Sequence, residues 1–183
     1  MEPNWTLEIL KVAAQAMTPL VVGFLGWKVS KRLKDIEQAQ WGNRKLTEKR
    51  IQIYEKVSPL LNRLFCYFSC VGDWQLHSPK AIIATKRELD HEMHVNKYLL
   101  EPEVFENYLK FTHALFEHYT GVGEDAKLRT GVKSFDGDRS KSPHFTWEPD
   151  FNHCYSKQNL PSKGELAALY DTVMKSQRKG IKA

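Results

Sequence analysis

Hydrophobic and polar positions divide the chain into an apolar N-terminal segment and a longer segment with helical periodicity. No charged residue occurs between Val12 and Trp27, a run of 16 residues. Extended back to Trp5, the segment has 23 residues. As a helix it would be about 35 Å long, enough for a hydrocarbon core about 30 Å thick. The pattern predicts a membrane-spanning helix within residues 1–30, with Trp5 and Trp27 at the two membrane interfaces.

The polar residues of this segment share one side of the predicted helix. Asn4, Glu8, Lys11, Gln15 and Thr18 fall within an arc of roughly 80°, and the opposite face is apolar. Charged groups are costly at membrane depth, so such a stripe is expected to face a partner or a water-filled cavity. One interpretation is a homo-oligomer in which Glu8, Lys11, Gln15 and Thr18 line a pore. A single-span anchor and a buried helix of a soluble fold are the alternatives.

Charge flanking the apolar run predicts its orientation. Lys28, Lys31, Arg32 and Lys34 follow it directly, whereas the N-terminal flank carries only Glu2 and the amino group. The positive-inside rule then places residues 31–183 in the cytoplasm and the N-terminus outside an inner, cytoplasmic membrane, in single-pass topology. The four basic residues are expected at the membrane interface. Three cysteines, an odd number, agree with a reducing compartment for this part of the chain.

Residues 31–183 show helical spacing of apolar positions and no sustained two-residue alternation, which predicts an all-α cytoplasmic domain. The first helix is expected to continue to Gln40, with a weak point at Gly42. Pro59, Pro79 and Pro102 are each typical of a first helical position. The helices that they begin are expected to end near Gly72, Leu99 and Gly121, respectively.

The C-terminal third of the chain is expected to contain a long loop and one more helix. Residues 121–161 lack sustained periodicity and collect Gly, Ser, Asp and Pro, which predicts a long loop or a set of short turns. Ser162 and Glu165 form a capping-box pattern at the start of the last helix. The fold class is therefore a predicted transmembrane helix that continues into a cytoplasmic helical bundle, with a long loop before the last helix.

Candidate catalytic and metal-binding patterns are few. His91 and His94 lie three apart rather than at the i,i+4 spacing of zinc proteases, and neither a metal nor another cofactor is predicted. Arg139 and His144 have an R-x4-H spacing similar to the short motif of HEPN ribonucleases. In such a site the His would transfer protons at the RNA 2′-hydroxyl and leaving oxygen, and the Arg would stabilise charge on the phosphate.

The layout of the chain resembles the accessory membrane protein of type VI-B CRISPR systems. It shares one N-terminal span, a basic stretch after it, a helical domain and a degenerate Arg/His motif. The resemblance implies a divergent HEPN domain in residues 31–183 and an oligomeric pore that strengthens RNA-guided antiviral defence. Arg139 and His144 would match the family's motif, and Glu8, Lys11, Gln15 and Thr18 would line the opening. The implied partners are the lipid bilayer, further copies of the chain, and an RNA-guided effector ribonuclease or RNA.

The predicted function is a non-enzymatic oligomeric membrane pore or permeabilising effector in antiviral defence. A membrane-tethered HEPN-type ribonuclease is one alternative, and a single-span adaptor without pore or catalysis is another. The basic patch from Lys28 to Lys34 does not separate them. A basic patch after the span suits anionic lipid, RNA phosphate or the topology rule alone.

Overall fold

The computed structural model describes the backbone of residues 5–118 and 121–182, and the side chains of these residues except 5–16, 18, 20, 39 and 182. The protein is mostly helical, as predicted. Four α-helices occur within the described residues: α1 (Trp5–Ser69), α2 (Pro79–Val95), α3 (Pro102–Leu115) and α4 (Lys163–Lys182). Short 3-10 helices cover Trp74–Leu76, Lys97–Leu99, Arg139–Lys141 and Pro149–Cys154.

Two small antiparallel sheets lie between α3 and α4, where the sequence predicted the end of a helix followed by a long loop. In the first, β1 (Phe116–Glu117) pairs with β2 (Lys127–Leu128). In the second, β3 (Lys133–Ser134) pairs with β4 (Gly137–Asp138) to form a hairpin. Strands of two residues are too short to show a two-residue period, so the sequence carries no strand signal here.

The predicted membrane-spanning helix is wrong. In the described part of the chain, no helix has a stretch long and apolar enough to cross a bilayer. In α1 the apolar run ends at Trp27, and Lys28, Lys31, Arg32 and Lys34 follow in the same helix. Extending the run in this direction therefore adds charge rather than apolar length.

The chain divides into two compact units, Met1–Leu46 and Thr47–Ala183. In the first unit every described side chain from Met17 to Leu46 is exposed. The second unit holds the hydrophobic core, to which all four helices contribute. Fully or nearly fully buried members include Val57, Leu61, Leu64, Ile82, Leu89, Met93, Val104, Phe111, Leu115, Leu166 and Val173.

Local signals locate several helix ends correctly. Ser78 Oγ accepts a hydrogen bond from Ala81 N at 3.3 Å, which caps α2. Ser162 Oγ accepts one from Glu165 N at 3.2 Å, as the capping-box pattern predicts. Helix α3 begins at Pro102 as expected but ends at Leu115 instead of near Gly121, because the chain turns into the extended conformation of β1.

Helix α1 is longer than predicted, since it passes through both Gly42 and Pro59 without a break. Val57, Leu60 and Leu61 are all buried around Pro59. A continued helix keeps these side chains in the core. The free energy gained by their burial offsets the cost of the backbone hydrogen bond that proline cannot donate.

The end of α1 has the hydrogen bond of a Schellman motif. Cys70 follows the helix with φ of 54°, and Val71 N donates to Cys66 O at 3.1 Å. Glycine usually occupies the position of Cys70, so this cysteine holds a backbone conformation that its side chain disfavours.

Candidate functional site

The most conspicuous surface is an uncovered apolar strip on the N-terminal part of α1. Its members lie three, four, four and three residues apart and fall within an arc of roughly 80°. Each is between 52% and 63% exposed. We call this set the apolar stripe: Val22, Leu25, Val29, Leu33 and Ile36. Steps of three and four residues keep these side chains on one side of the helix, as in the apolar face of an amphipathic helix.

A second face of the same helix combines aromatic and basic side chains. Phe24 and Trp27 lie with their ring centroids 6.1 Å apart, and Lys31 Nζ lies 5.9 Å from the centre of the Trp27 ring. Lys28 and Lys34 are on the same side of the helix, and all five side chains are exposed. We call these five residues the aromatic–basic face. It includes Trp27, Lys28, Lys31 and Lys34, four of the predicted membrane-interface residues.

Of the other predicted residues in this segment, the structure describes the side chain of Arg32 only. Arg32 is exposed at the border of the apolar stripe. The side chain of Trp5, the other predicted interface residue, lies outside the described residues. The same holds for the predicted pore-lining side chains Glu8, Lys11, Gln15 and Thr18. Their role stays a prediction.

Arg139, predicted as part of an RNA-cleaving pair, is 2% exposed. Its Nη1 donates to Gly131 O at 2.7 Å. Its Nη2 donates to Tyr67 O at 2.8 Å and to Cys70 Sγ at 3.2 Å. The guanidinium carbon lies 4.9 Å and 5.8 Å from the ring centres of Tyr67 and Trp74. This guanidinium joins α1 to the β3–β4 hairpin region and is enclosed by protein.

His144 does not share that environment. The residue is exposed, and its backbone N donates to Ser142 Oγ at 3.1 Å. Arg139 and His144 are both described, and no hydrogen bond, ion pair or ring contact joins them. The structure therefore does not bring the two side chains together in one chain. A phosphate would also have to displace protein groups to reach the guanidinium.

Next to Arg139 lies a pair of tyrosines that the sequence did not indicate, Tyr67 buried and Tyr155 half-buried. The hydroxyls of Tyr67 and Tyr155 are 2.6 Å apart. Burial raises the pKa of Tyr67 to about 12 and also raises that of Tyr155, and the nearby guanidinium opposes both shifts. The two partners are 88 positions apart. No local pattern marks such a contact, because each residue alone is an ordinary core tyrosine.

A second buried polar group links α2 and α3. Lys86, which is 7% exposed, donates to Asp90 at 2.5 Å, and the Tyr108 hydroxyl donates to the same carboxylate. Nearby, burial lowers the pKa of His118 to about 4, with Lys86 and His113 adding to the shift. Among the described residues no group of three or more His, Cys, Asp or Glu side chains could hold a metal ion. The pairing gives this group a structural role, since each charge has a partner.

An open cleft of about 460 Å³ lies beside α2 and is lined by Lys80, Arg87 and Lys127. Each of these cations pairs with a carboxylate. Lys80 is 3.3 Å from Glu148, Lys127 is 3.3 Å from Glu124, and Arg87 contacts Asp125. Because charge is nearly balanced around the cleft, it does not select an anionic ligand.

Comparison with known proteins identifies no relative: the chain matches no protein-family model, no curated protein and no solved structure. Function has to be argued from the surfaces and contacts described above. Arg139 Nη1 and Nη2 and Lys86 Nζ are hydrogen-bonded within the fold. The apolar stripe has none among the described residues of the chain, and it is the candidate functional surface.

Proposed function

We propose that this protein is a non-enzymatic, self-assembling protein that acts at an anionic lipid surface. Copies of α1 pack on one another through the apolar stripe, and the assembly contacts lipid headgroups through the aromatic–basic face. The observation that carries the proposal is the exposure of five large apolar side chains along one side of a regular helix. Apolar surface in contact with water favours association with a matching surface.

The spacing of the stripe favours a second copy of the chain as its occupant. Val22, Val29 and Ile36 recur every seven residues. Leu25 occupies the fourth position of the first heptad, and in the second heptad that position is Arg32, with Leu33 next to it. β-branched residues at the first position of a heptad and leucine at the fourth favour parallel helix pairs. A second copy presents the same pattern and can interdigitate with it.

The energy available from the stripe supports assembly of moderate strength. Full burial of a Val, Leu or Ile side chain stabilises by about 1.5–3 kcal/mol. Pairing of two helices covers five such side chains on each, all about half exposed, and therefore contributes roughly 8–15 kcal/mol. Association costs about 4–15 kcal/mol in lost translational and rotational freedom and in the ordering of side chains. This cost is comparable to the gain from burying the stripe. Confinement on a common surface raises the effective concentration and strengthens pairing.

The aromatic–basic face remains available when the stripe is covered, because the two lie on opposite sides of α1. A lysine near an anionic membrane surface contributes about 1 kcal/mol, so Lys28, Lys31 and Lys34 together contribute about 3 kcal/mol. Phe24 and Trp27 suit the boundary between headgroups and acyl chains. This contact lies in the plane of the membrane surface and requires no crossing of the bilayer.

Sedimentation velocity of the full chain at several concentrations tests self-assembly. We expect a concentration-dependent mass above the monomer, and a monomer for Val29→Lys combined with Leu33→Lys. The matched control is Ser30→Lys combined with Gln38→Lys, which adds equal charge at exposed positions off the stripe. A monomeric wild type, or a stripe variant that assembles as well as the control, would overturn the proposal.

Flotation with phosphatidylcholine vesicles, with and without phosphatidylserine, tests the lipid contact. We expect binding only with phosphatidylserine, and loss of binding when Lys28, Lys31 and Lys34 are changed to Gln. As a control, three exposed lysines of the second unit are changed to Gln: Lys110, Lys141 and Lys157. Equal binding to both vesicles, or equal loss in both triple variants, contradicts the lipid contact and leaves self-assembly to its own test.

The antiviral role, the RNA-guided partner and membrane permeabilisation stay predictions. Leakage of a dye from the same vesicles would measure permeabilisation directly. No observation favours the ribonuclease alternative, because Arg139 is buried and bonded to backbone carbonyls.

A further inference from the structure

The thiol of Cys70 has an environment unlike that of the other cysteines. Arg139 Nη2 lies 3.2 Å from its sulfur, and Ser134 Oγ lies 3.7 Å away. The cysteine is partly exposed, whereas the arginine beside it is 2% exposed. A non-glycine residue is uncommon in the left-handed region, and the surrounding contacts hold Cys70 there.

The guanidinium next to Cys70 retains an unused donor. Arg139 Nε is buried and has no hydrogen-bond partner, although Nη1 and Nη2 are both bonded. A buried N–H without an acceptor is costly, so nearly all such groups in proteins have partners. An oxygen atom bonded to the Cys70 sulfur could accept a hydrogen bond from this guanidinium.

We propose that Cys70 is a modification site, at which a hydroperoxide oxidises the thiol to a sulfenic acid. The thiol first loses its proton to solvent. Its sulfur attacks one peroxide oxygen, the S–O bond forms and the O–O bond breaks. The second oxygen leaves with the electron pair and takes a proton, giving water or an alcohol. The sulfur is oxidised by two electrons and the peroxide is reduced by two. Arg139 compensates the negative charge on the attacking sulfur and then donates to the new oxygen.

The two other cysteines supply an internal comparison. Burial raises the pKa of the Cys66 thiol, and Asp73 raises it further. Burial also raises the pKa of the Cys154 thiol, whose sulfur lies 4.0 Å from Asp150 O. A raised pKa leaves less of the nucleophilic thiolate at neutral pH. No hydrogen bond from a guanidinium reaches either sulfur in the described part of the chain.

The test treats the reduced full-length chain with hydrogen peroxide in the presence of dimedone, which traps sulfenic acids, and locates the adduct by mass spectrometry. We expect Cys70 to be labelled about tenfold more than Cys66 or Cys154, and the difference to disappear in denaturant. Cys70→Ser should abolish the adduct, whereas the control Cys154→Ser should keep it. Equal labelling of the three thiols in the folded chain, no labelling at all, or an adduct that persists in Cys70→Ser would overturn the inference.

Discussion

Replacement of Arg139 by Met separates a structural arginine from a catalytic one. The change removes hydrogen bonds to Tyr67 O and Gly131 O and the contacts with two aromatic rings. A hydrogen bond from a charged donor stabilises by about 1.5–3 kcal/mol, so two lost bonds correspond to about 3–6 kcal/mol. Methionine does not carry the cost of burying a charge, which offsets part of that loss. We expect the free energy of unfolding to fall by about 2–4 kcal/mol.

Urea unfolding of the full chain, followed by near-ultraviolet circular dichroism, measures this change. Lys141→Met is the control, because Lys141 belongs to the same 3-10 helix but is exposed. We expect the control to stay within about 0.5 kcal/mol of the wild type. If Arg139→Met were as stable as the control, the guanidinium would have no structural role. Loss of an RNA-cleaving activity in that stable variant would then favour the ribonuclease.

Two further predictions concern the packing of the β3–β4 hairpin and the pH dependence of stability. Gly137→Ala should destabilise by about 1–3 kcal/mol, because the new Cβ would lie 2.7 Å from two ring atoms of Trp74; urea unfolding checks this. Stability should decrease as pH falls from about 6.5 towards about 4, because His118 has its pKa lowered in the folded chain and the unfolded chain binds the proton first. The melting temperature as a function of pH, compared between the wild type and His118→Gln, measures the contribution of this histidine.

Both predictions have matched controls. Gly164→Ala adds a Cβ with no heavy atom within 4 Å, so it should not destabilise as Gly137→Ala does. Equal stability of the two alanine variants would contradict the packing argument. For the pH dependence, the exposed His144 supplies the control His144→Gln. A pH profile that changes equally in both histidine variants would show that His118 is not the responsible group.

Helix starts were the most predictable part of the fold, because their signals are local. Ser78 and Ser162 each cap a helix through a backbone N–H three residues further on. A capping residue and its partner are neighbours in sequence, so the pattern can be read without knowledge of the fold. The break expected at Pro59 failed for the opposite reason. Burial in the core by distant helices decides whether α1 continues there, and a single segment does not contain that information.

The candidate sites were less predictable than the helices. Arg139 was singled out for its spacing from His144, but its actual partner Tyr67 lies 72 positions away. Spacing along the chain reports which residues share an element, and it cannot report a contact across such a separation. In the N-terminal segment, the length of the apolar run predicted a membrane span, and no helix in the described part of the chain is long and apolar enough for one. Hydrophobicity along the sequence also does not report which side chains the fold leaves exposed, so the apolar stripe was not predicted.

The contact between Arg139 and Tyr67 has a consequence for the order of folding. Bringing together residues 72 positions apart costs roughly 4 kcal/mol of chain entropy before any contact is gained. Helices such as α2 and α3 form from neighbouring residues within microseconds and do not bear this cost. The guanidinium can reach Tyr67 O and Cys70 Sγ only when the end of α1 and the β3–β4 hairpin already lie close together. We therefore expect the Arg139 contact to form late, and the attachment of the hairpin to α1 to belong to the slow part of folding.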